Sequence, residues 1–236
     1  MSNIQLYNDD CVTVLNELCN NNVIVDCIIA DIPYNIGYDS WDNEFDLTSC
    51  LPLLKRLLKE NGNIVIFNGW SNVCETKHLL DKYFHIEDWI IYDRIKGRGG
   101  RRHLVSTRED ILWYSKGDNY TFNKIPSTIL KKTGGSIGTK NGNPYRALSN
   151  VWTDISPIVP WSKERVNHPT QKPVQLMERC VKLWTNEGDT VLDFTMGSGS
   201  TGVACKNLNR NFIGIEINKE YFNIANSRLN EVYNEL

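Results

Sequence analysis

The sequence lacks several features that would place it in a membrane, outside the cell or around a metal. Its longest apolar runs, such as Val23–Ala30, are far shorter than the roughly 20 residues that a membrane-spanning helix needs. No basic segment followed by an apolar stretch stands near the start, so we expect no signal peptide and a cytoplasmic protein. The seven cysteines include no Cys-x-x-Cys pair, and their scatter indicates reduced thiols rather than a disulfide framework or a zinc site.

Positive charge is also missing from a large part of the chain. The first 54 residues contain nine acidic residues and no Lys or Arg, whereas Arg94–Val151 contains twelve Lys and Arg residues against three acidic ones. Because the net charge is only −2, one basic stretch in such a chain indicates a local surface for a polyanion. A charge run alone is more often a solvated face, so this stretch needs other support.

Short apolar runs alternate with helical patterns. Four runs are typical of strands buried on both faces: Val23–Ala30, Asn63–Phe67, Thr190–Phe194 and Asn211–Ile217. Helices are predicted at Leu47–Glu60 (with a stop signal at Asn61-Gly62), Pro173–Asn186 and Lys219–Val232. This order predicts an α/β domain with a mostly parallel sheet covered on both sides.

The stretch 117–170 interrupts that alternation. It follows a predicted strand, Ile111–Tyr114, and is rich in Gly, Asn, Ser, Thr and Pro. Because a structureless loop of this length is uncommon inside a compact domain, we expect an insertion built of short elements.

A glycine-rich segment carries the strongest nucleotide-binding signal. Residues 193–202 read Asp-Phe-Thr-Met-Gly-Ser-Gly-Ser-Thr-Gly, after a predicted strand and before a predicted helix, Thr201–Leu208. Glycines in this context permit a tight turn and close approach of a ligand. Glu216 ends the next strand, 17 residues beyond Gly199, where an acid commonly binds ribose hydroxyls. Alone, the pattern fits a dinucleotide enzyme as well as a methyltransferase, and an ordinary glycine-rich turn remains a third interpretation.

The position of this loop separates the two enzyme classes. A dinucleotide-binding half needs at least a β-α-β-α-β run that begins at the glycine loop. Only 34 residues follow Gly202, so the other strands of the sheet must come from the first half of the chain. The nucleotide-binding unit is therefore circularly permuted. Because this is unusual for dehydrogenases, it counts against an enzyme that binds NAD.

A second motif, Asp31-Ile-Pro-Tyr34, follows directly on the predicted strand Val23–Ala30. Open α/β sheets bind their ligands at the carboxyl ends of strands. A side-chain acceptor and a backbone carbonyl there would localise the lone pair of a conjugated amino group for attack, and an aromatic face would stack on an extruded base. The motif is short, and a turn capped by Asp31 is the alternative interpretation.

Taken together, the motifs resemble the beta group of DNA amino-methyltransferases. Asp31–Tyr34 resembles the Asp-Pro-Pro-Tyr motif of that family, 193–202 resembles its cofactor loop, and His168-Pro-Thr-Gln-Lys-Pro173 resembles the segment before that loop. The order, with the catalytic motif first, is also that of the beta group. The resemblance implies a doubly wound, mostly parallel seven-stranded sheet of the Rossmann-like methyltransferase fold, circularly permuted, in one domain of residues 1–236. It also implies a target-recognition insertion at 116–165.

The resemblance assigns roles to individual residues. Asp31 and the carbonyl of Ile32 would accept hydrogen bonds from the target amino group, Pro33 would shape the turn and Tyr34 would stack on the flipped base. The cofactor would be S-adenosylmethionine, leaving as S-adenosylhomocysteine, with no metal. Gly197 and Gly199 would pass close to its methionine part, His168, Thr170 and Lys172 would contact its carboxylate, and Glu216 would bind its ribose. Asp10 and Cys11 would lie near its adenine, and the remaining predicted cofactor contacts are Gln171, Asp193, Phe194 and Ser198. Ile32 departs from the family's usual proline, which makes the loop less rigid.

The resemblance also gives the basic stretch a purpose, namely binding to double-stranded DNA. The predicted DNA-binding residues are Arg94, Lys96, Arg98, Arg101, Arg102, Arg108, Lys131, Lys132, Lys140 and Arg146. Because cytosine enzymes of the group more often carry Ser at the position of Asp31, this residue favours adenine.

Three alternatives stay open: the same chemistry on cytosine, the same chemistry on RNA, and a nucleotide- or DNA-binding module without catalysis. A homodimer and a cognate restriction endonuclease also remain open as partners of a bacterial or phage-encoded enzyme.

Overall fold

The computed structural model describes residues 2–33, 45–98, 102, 104–130 and 144–230, with the backbone alone at 96–98. Its helices are α1 (Cys11–Asn20), α2 (Leu47–Leu57), α3 (Val73–Leu80), α4 (Val174–Trp184), α5 (Ser200–Asn207) and α6 (Lys219–Asn230). Its strands are β1 (Ile4–Tyr7), β2 (Val25–Asp31), β3 (Leu58–Asn68), β4 (His85–Arg98), β5 (Ser106–Ser115), β6 (Pro126–Leu130), β7 (Tyr145–Ala147), β8 (Val151–Trp152), β9 (Thr190–Asp193) and β10 (Asn211–Ile215).

The described strands form one large sheet in the order β1-β10-β9-β2-β3-β5-β4-β8. Strand β5 is antiparallel to both of its neighbours, and the other neighbouring pairs are parallel. The predicted α/β class with a mostly parallel sheet is therefore confirmed. The sheet has one strand more than the seven expected, because Val151 and Trp152 pair with Ile91 and Tyr92 at its edge.

The order of the strands reverses where β2 lies beside β9. From β9 the chain passes through α5 to β10 on one side, and from β2 it passes through α2 to β3 on the other. Cys27 pairs with Val191 and Ile28 with Leu192, so the carboxyl ends of these two strands meet although they are far apart in sequence. This reversal is the point at which open α/β sheets bind ligands.

Apolar residues cover both faces of the sheet. On one face, α1 and α2 bury residues such as Leu15 and Leu51, and on the other α4 and α5 bury Val181 and Ala204. The central strand β2 contributes to both layers, since Ile28 and Ile29 point to opposite faces and are fully buried. This double coverage explains why its sequence is continuously apolar rather than alternating.

Six of the nine predicted elements are present with ends shifted by at most two residues, but β3 and β5 begin five residues earlier than predicted and the end of one helix was predicted wrongly. Helix α2 stops at Leu57 instead of Glu60, and Asn61-Gly62 lies inside β3. The pairing of β3 with β2 skips from Leu58 to Asn63, so the intervening residues bulge out of the ladder. A Cβ atom at Gly62 would lie 2.9 Å from the carbonyl oxygen of Asp26, which shows that this glycine permits a close backbone approach.

The described part of the predicted insertion contains short elements, as its composition indicated. Strands β6 and β7 pair with each other in a separate two-stranded sheet, while β8 joins the main sheet. Asp154, which follows β8, accepts two hydrogen bonds from the Arg179 guanidinium of α4 at 2.8 and 2.7 Å. Both side chains of this pair are buried, so it ties the end of the insertion to the body of the domain.

No helix within the described ranges is both long enough and apolar enough to span a bilayer.

Candidate active site

A cavity opens at the carboxyl ends of β1, β2, β9 and β10, where the strand order reverses. Its wall includes residues from both ends of the chain, such as Asp10, Asp31, Gly197 and Glu216. Of the twelve predicted cofactor residues, eleven line this cavity: Asp10, Cys11, His168, Thr170, Gln171, Lys172, Asp193, Phe194, Gly197, Ser198 and Glu216. The structure therefore brings together residues that the sequence placed in four separate segments.

The glycine loop between β9 and α5 is held by hydrogen bonds to neighbouring strands and helices. The backbone N–H of Gly197 donates to Glu216 Oε2 at 2.9 Å, and the Arg228 guanidinium of α6 donates to the carbonyl oxygen of Ser198 at 2.5 Å. Gly197 and Gly199 both adopt positive φ angles, +52° and +77°. Such angles favour glycine over residues with a side chain.

The two glycines serve different contacts. A Cβ atom at Gly197 would lie 2.8 Å from Nε2 of His168, beside the cavity. At Gly199 it would lie 2.9 Å from Cβ of Ala225 on α6. Gly199 is not among the cavity-lining residues and packs closely against α6, and its contact with the cofactor stays a prediction.

The segment before α4 folds over this loop. The ring of His168 packs against Tyr221 with centroids 4.3 Å apart. The Gln171 side chain accepts from the backbone N–H of Val166 at 2.9 Å and donates to the carbonyl oxygen of Glu164 at 2.7 Å, which fixes the segment's shape. Exposed Thr170 lines the mouth of the cavity.

Asp31 stands at the end of β2 and also lines the cavity. Its backbone carbonyl accepts a hydrogen bond from the Thr195 hydroxyl at 3.2 Å, which joins this end of β2 to the loop after β9. The side chain of Ile32 is buried, and Pro33 lines the cavity, whereas Tyr34 lies outside the described residues. The Asp31 carboxylate is thus presented at the cavity by a strand in the middle of the sheet.

Lys172 contacts Asp31 directly. Its ammonium donates to Asp31 Oδ2 at 2.5 Å and lies 3.5 Å from Oε2 of Glu109, a residue of β5. The expectation from the resemblance was a contact between Lys172 and the cofactor carboxylate. In the structure the ammonium is directed at the two side-chain carboxylates instead.

At the other end of the cavity, Asp10 caps α1 by accepting from the backbone N–H of Thr13 at 3.0 Å. Cys11 begins the helix, and its Sγ lies 3.8 Å from Sγ of Cys50 on α2. Hydrogen bonding to Cys50 lowers the pKa of the Cys11 thiol.

Acidic groups dominate the electrostatics of the cavity. Among its described lining residues the carboxyl groups are those of Asp9, Asp10, Asp31, Asp193 and Glu216, and Lys172 is the one Lys or Arg. Burial raises the pKa of Asp193 to about 7 although Thr201 donates to it, and burial also raises the pKa of Glu216. Burial lowers the pKa of His168 to about 4, so this ring is neutral at pH 7. A cavity of this charge favours a cationic ligand over one that carries phosphates.

The predicted DNA-binding residues are only partly described. Arg102, Arg108 and Arg146 are exposed, and Arg108 pairs with Asp110 through Nε at 3.2 Å from Oδ2. Arg94 is directed inward, with Nη1 3.5 Å from Glu109 Oε1. The side chains of Lys96 and Arg98, and the whole of Arg101, Lys131, Lys132 and Lys140, lie outside the described part of the chain.

Several cavity residues carried no signal in the sequence. Phe45 packs on Phe194 with ring centroids 6.3 Å apart, and Tyr221 packs on His168. Phe45 precedes α2 outside any motif, and Tyr221 occupies a helical position that suits an ordinary core residue. Glu109, which contacts Lys172, was noticed only as an acid within a basic stretch. Its signal in the sequence is its position two residues before the predicted run Ile111–Tyr114, which makes it an acidic residue within the same strand, β5.

Comparison with known proteins identifies the family. Residues 25–227 match the model of the family described as DNA methylase. The chain belongs to the DNA methylase family. The Type II methyltransferase M1.MboII of Moraxella bovis is 34% identical to this methylase over 97% of both chains. The DNA adenine methyltransferase YhdJ of Escherichia coli is 35% identical, over 87% of this chain and 76% of its own.

A solved structure extends this similarity. The M1.HpyAVI–SAM complex is 34% identical to this DNA methylase and superposes with a TM-score of 0.70, covering 96% of this chain and all of the other. The Rossmann-like methyltransferase fold predicted from the sequence is therefore confirmed.

The raised pKa of Asp193 gives this DNA methylase a testable dependence of stability on pH. The folded protein holds this proton up to about pH 7, whereas an unfolded Asp releases it near pH 4, so the free energy of unfolding falls as the pH rises between these values. Asp193→Asn keeps the shape without the titration. We expect the free energy of unfolding of the variant, relative to that of the parent, to rise by up to about 1.4 kcal/mol per pH unit between pH 5 and 7. The measurement is chemical unfolding without ligand.

Glu187→Gln is the matched control, because it removes an exposed carboxyl group from the loop just before β9. Parallel stability curves for the parent and Asp193→Asn would contradict the assignment.

Proposed function

We propose that the protein transfers a methyl group from S-adenosylmethionine to the exocyclic amino group of adenine in duplex DNA. The observation that carries this proposal is the position of Asp31, at the end of β2 and on the wall of the cavity that the glycine loop and Glu216 also line. An acceptor for the target amino group thus stands beside a site suited to the methyl donor.

The residues of the cavity fit this cofactor. S-Adenosylmethionine carries a sulfonium and an ammonium against one carboxylate, and the excess of acidic groups suits such a cation. Glu216 directly follows β10, at the position where an acid commonly binds ribose hydroxyls in this type of sheet. The apolar side chains of Phe45, Phe194 and Ile215 offer surface for the adenine and the aliphatic part.

When bound, S-adenosylmethionine supplies an electrophilic methyl group on positively charged sulfur. The protein's part is to prepare the amino nitrogen that receives it. The Asp31 carboxylate and the Ile32 carbonyl would accept the two amino hydrogens, which would localise the nitrogen lone pair and stabilise the positive charge that develops there. The nitrogen sheds a proton after the transfer, so no covalent bond between enzyme and DNA is needed.

Adenine is proposed over cytosine on two grounds. Asp31 occupies the position at which cytosine enzymes of the group more often carry Ser, and a relative that is 35% identical bears the name DNA adenine methyltransferase. Reaching the amino group in a duplex requires extrusion of the base, for which Tyr34 remains the predicted stacking partner.

DNA binding is assigned to the basic stretch and to the proposed target-recognition insertion at 116–165. The exposed guanidinium groups of Arg102, Arg108 and Arg146 are available to contact phosphates. Arg94 and Arg108 both pair with acids, but the Arg94 side chain is less exposed, at 31% against 48%, so Arg94 is removed from this set. A homodimer and a cognate restriction endonuclease remain predictions from the resemblance.

The first prediction concerns Asp31→Ala. Loss of the acceptor should lower the single-turnover rate of methylation at least 10²- to 10³-fold, because the developing charge at nitrogen loses its partner. The rate would be measured with saturating radiolabelled S-adenosylmethionine on genomic DNA from a strain without DNA methyltransferases.

Asp26→Asn is the matched control, since Asp26 lies near the other end of the same strand and binds Lys59 and the backbone of Thr190 away from the cavity. Melting temperatures in saturating cofactor show that both variants are folded. If Asp31→Ala methylates within tenfold of the parent, Asp31 only caps a turn and the proposed mechanism is wrong.

The second prediction concerns Arg102 and Arg146. If both contact phosphates, the variant in which both are Ala should bind all duplex sequences more weakly, and the slope of log affinity against log salt should fall by about two units. Lys55→Ala on α2, an exposed cation outside the basic stretch, is the control. An unchanged slope in the double variant would indicate a solvated face.

A further inference from the structure

Four charged side chains of alternating sign form a row that ends at Asp31. Arg94 Nη1 lies 3.5 Å from Glu109 Oε1, Glu109 Oε2 lies 3.5 Å from Lys172 Nζ, and Lys172 Nζ donates to Asp31 Oδ2 at 2.5 Å. The row runs from β4 through β5 and the segment before α4 to β2. It connects residues from elements that are distant in sequence, so it forms only in the folded protein.

The inner part of the row is buried. The exposed fractions of the Lys172, Glu109 and Asp31 side chains are 8%, 11% and 22%. A buried ammonium is costly unless carboxylates compensate it. Burial acts to lower the pKa of Lys172, but the charges of Asp31 and Glu109 outweigh it, and the pKa is raised. Lys172 is therefore a permanent cation between two carboxylates.

Glu109 depends on Lys172 in return. Its Oε2 is buried and has no hydrogen-bond partner among the described residues, so the ammonium 3.5 Å away is its principal compensation on that side. Lys172 also lies over the ring of Phe67, with Nζ 5.8 Å from the ring centroid. Without the ammonium, two carboxylates would face one buried site with no cation between them, and like charges in such a site favour protonation of one of the two.

We propose that Lys172 is a positioning residue for catalysis: it orients the Asp31 carboxylate and keeps it ionised, and Glu109 holds the ammonium in place. This inference rests on the proposed function, since it assumes that Asp31 accepts the target amino group. A carboxylate offers about four acceptor sites, so a contact with Lys172 leaves Asp31 capable of accepting from the amino group as well. Protonated Asp31 would lose this capacity at the oxygen that carries the proton.

The test compares Lys172→Met with the parent over pH 6–9, in single-turnover methylation with saturating S-adenosylmethionine and DNA. We expect a rate about 10- to 100-fold below the parent at pH 7, recovering at least tenfold towards pH 9 as the carboxylate pair loses its shared proton. The affinity for S-adenosylmethionine by calorimetry should change less than threefold, because the ammonium serves Asp31 and not the cofactor.

Other groups around Lys172 titrate or carry charge, and the comparison with the parent separates them. His168 is neutral over this range because burial lowers its pKa to about 4, whereas burial raises the pKa of Asp193 to about 7, so Asp193 titrates within this range in the parent. Among the described residues, the charged and titratable groups that act on Lys172, Asp31 or His168 include Arg94 of β4, Glu109 of β5, Asp193 of β9 and Arg228 of α6. Only the difference between the two pH profiles is assigned to Lys172.

Two further variants sharpen the test. Adding Glu109→Gln to Lys172→Met removes the second carboxylate, so the pH dependence should flatten and part of the rate at pH 7 should return. If Lys172→Met alone does not fold, the double variant takes its place in the test. The expected result is then a methylation rate that does not depend on pH, with the affinity for S-adenosylmethionine retained. The control is Lys182→Met, which removes an exposed lysine of α4 that pairs with Glu178, and it should match the parent.

Specific outcomes would overturn the inference. A Lys172→Met profile parallel to that of the parent would show that Lys172 does not govern the ionisation of Asp31. Loss of cofactor affinity with a normal rate at saturation would make Lys172 a cofactor contact. If instead Asp31→Ala retains full activity, the proposed function itself fails, which is a distinct result.

Discussion

The parallel pairing of β2 with β9 is the constraint on which the site depends. Cys27 and Ile28 of β2 pair with Val191 and Leu192 of β9, and both strands are buried among apolar residues on both faces. Because these pairs fix the register, Asp31 and the glycine loop emerge at the same edge of the sheet. A shift of one residue in β2 would turn its side chains to the opposite faces and move Asp31 away from the cavity.

The electrostatics of the site follow from this placement. The strand ends bring five carboxyl groups into a partly buried cavity, and this excess of acidic groups favours a cation as the ligand, although burial raises the pKa of Asp193 and Glu216. Lys172 is the one Lys or Arg among the described residues that line the cavity. Its ammonium contacts the carboxylates of Asp31 and Glu109. The Asp31 carboxylate is thus paired with the Lys172 ammonium at the end of β2, where we propose that the amino group of the base binds.

The sequence predicted the parts of this arrangement that depend on local chemistry. Continuous apolar runs identified the central strands, and the glycine loop identified the cavity, because turn geometry restricts residue choice. Contacts between distant segments left no local pattern, so neither the pairing of Lys172 with Glu109 nor the inward direction of Arg94 could be predicted. The end of α2 was predicted wrongly because Asn61-Gly62 was interpreted as a helix stop. In the structure Gly62 lies in β3 and allows a close approach to the backbone of Asp26, and the sequence does not distinguish these two uses of a glycine.

The central claim is that this site methylates the amino group of adenine, and the nucleosides of methylated DNA test it most directly. DNA without prior methylation would be incubated with the protein and deuterated S-adenosylmethionine, digested to nucleosides and analysed by mass spectrometry. The account predicts labelled N6-methyladenine as the product. Labelled N4-methylcytosine alone would contradict the assignment of the base, and the absence of any labelled nucleoside from a folded, cofactor-binding protein would contradict the proposed activity on DNA.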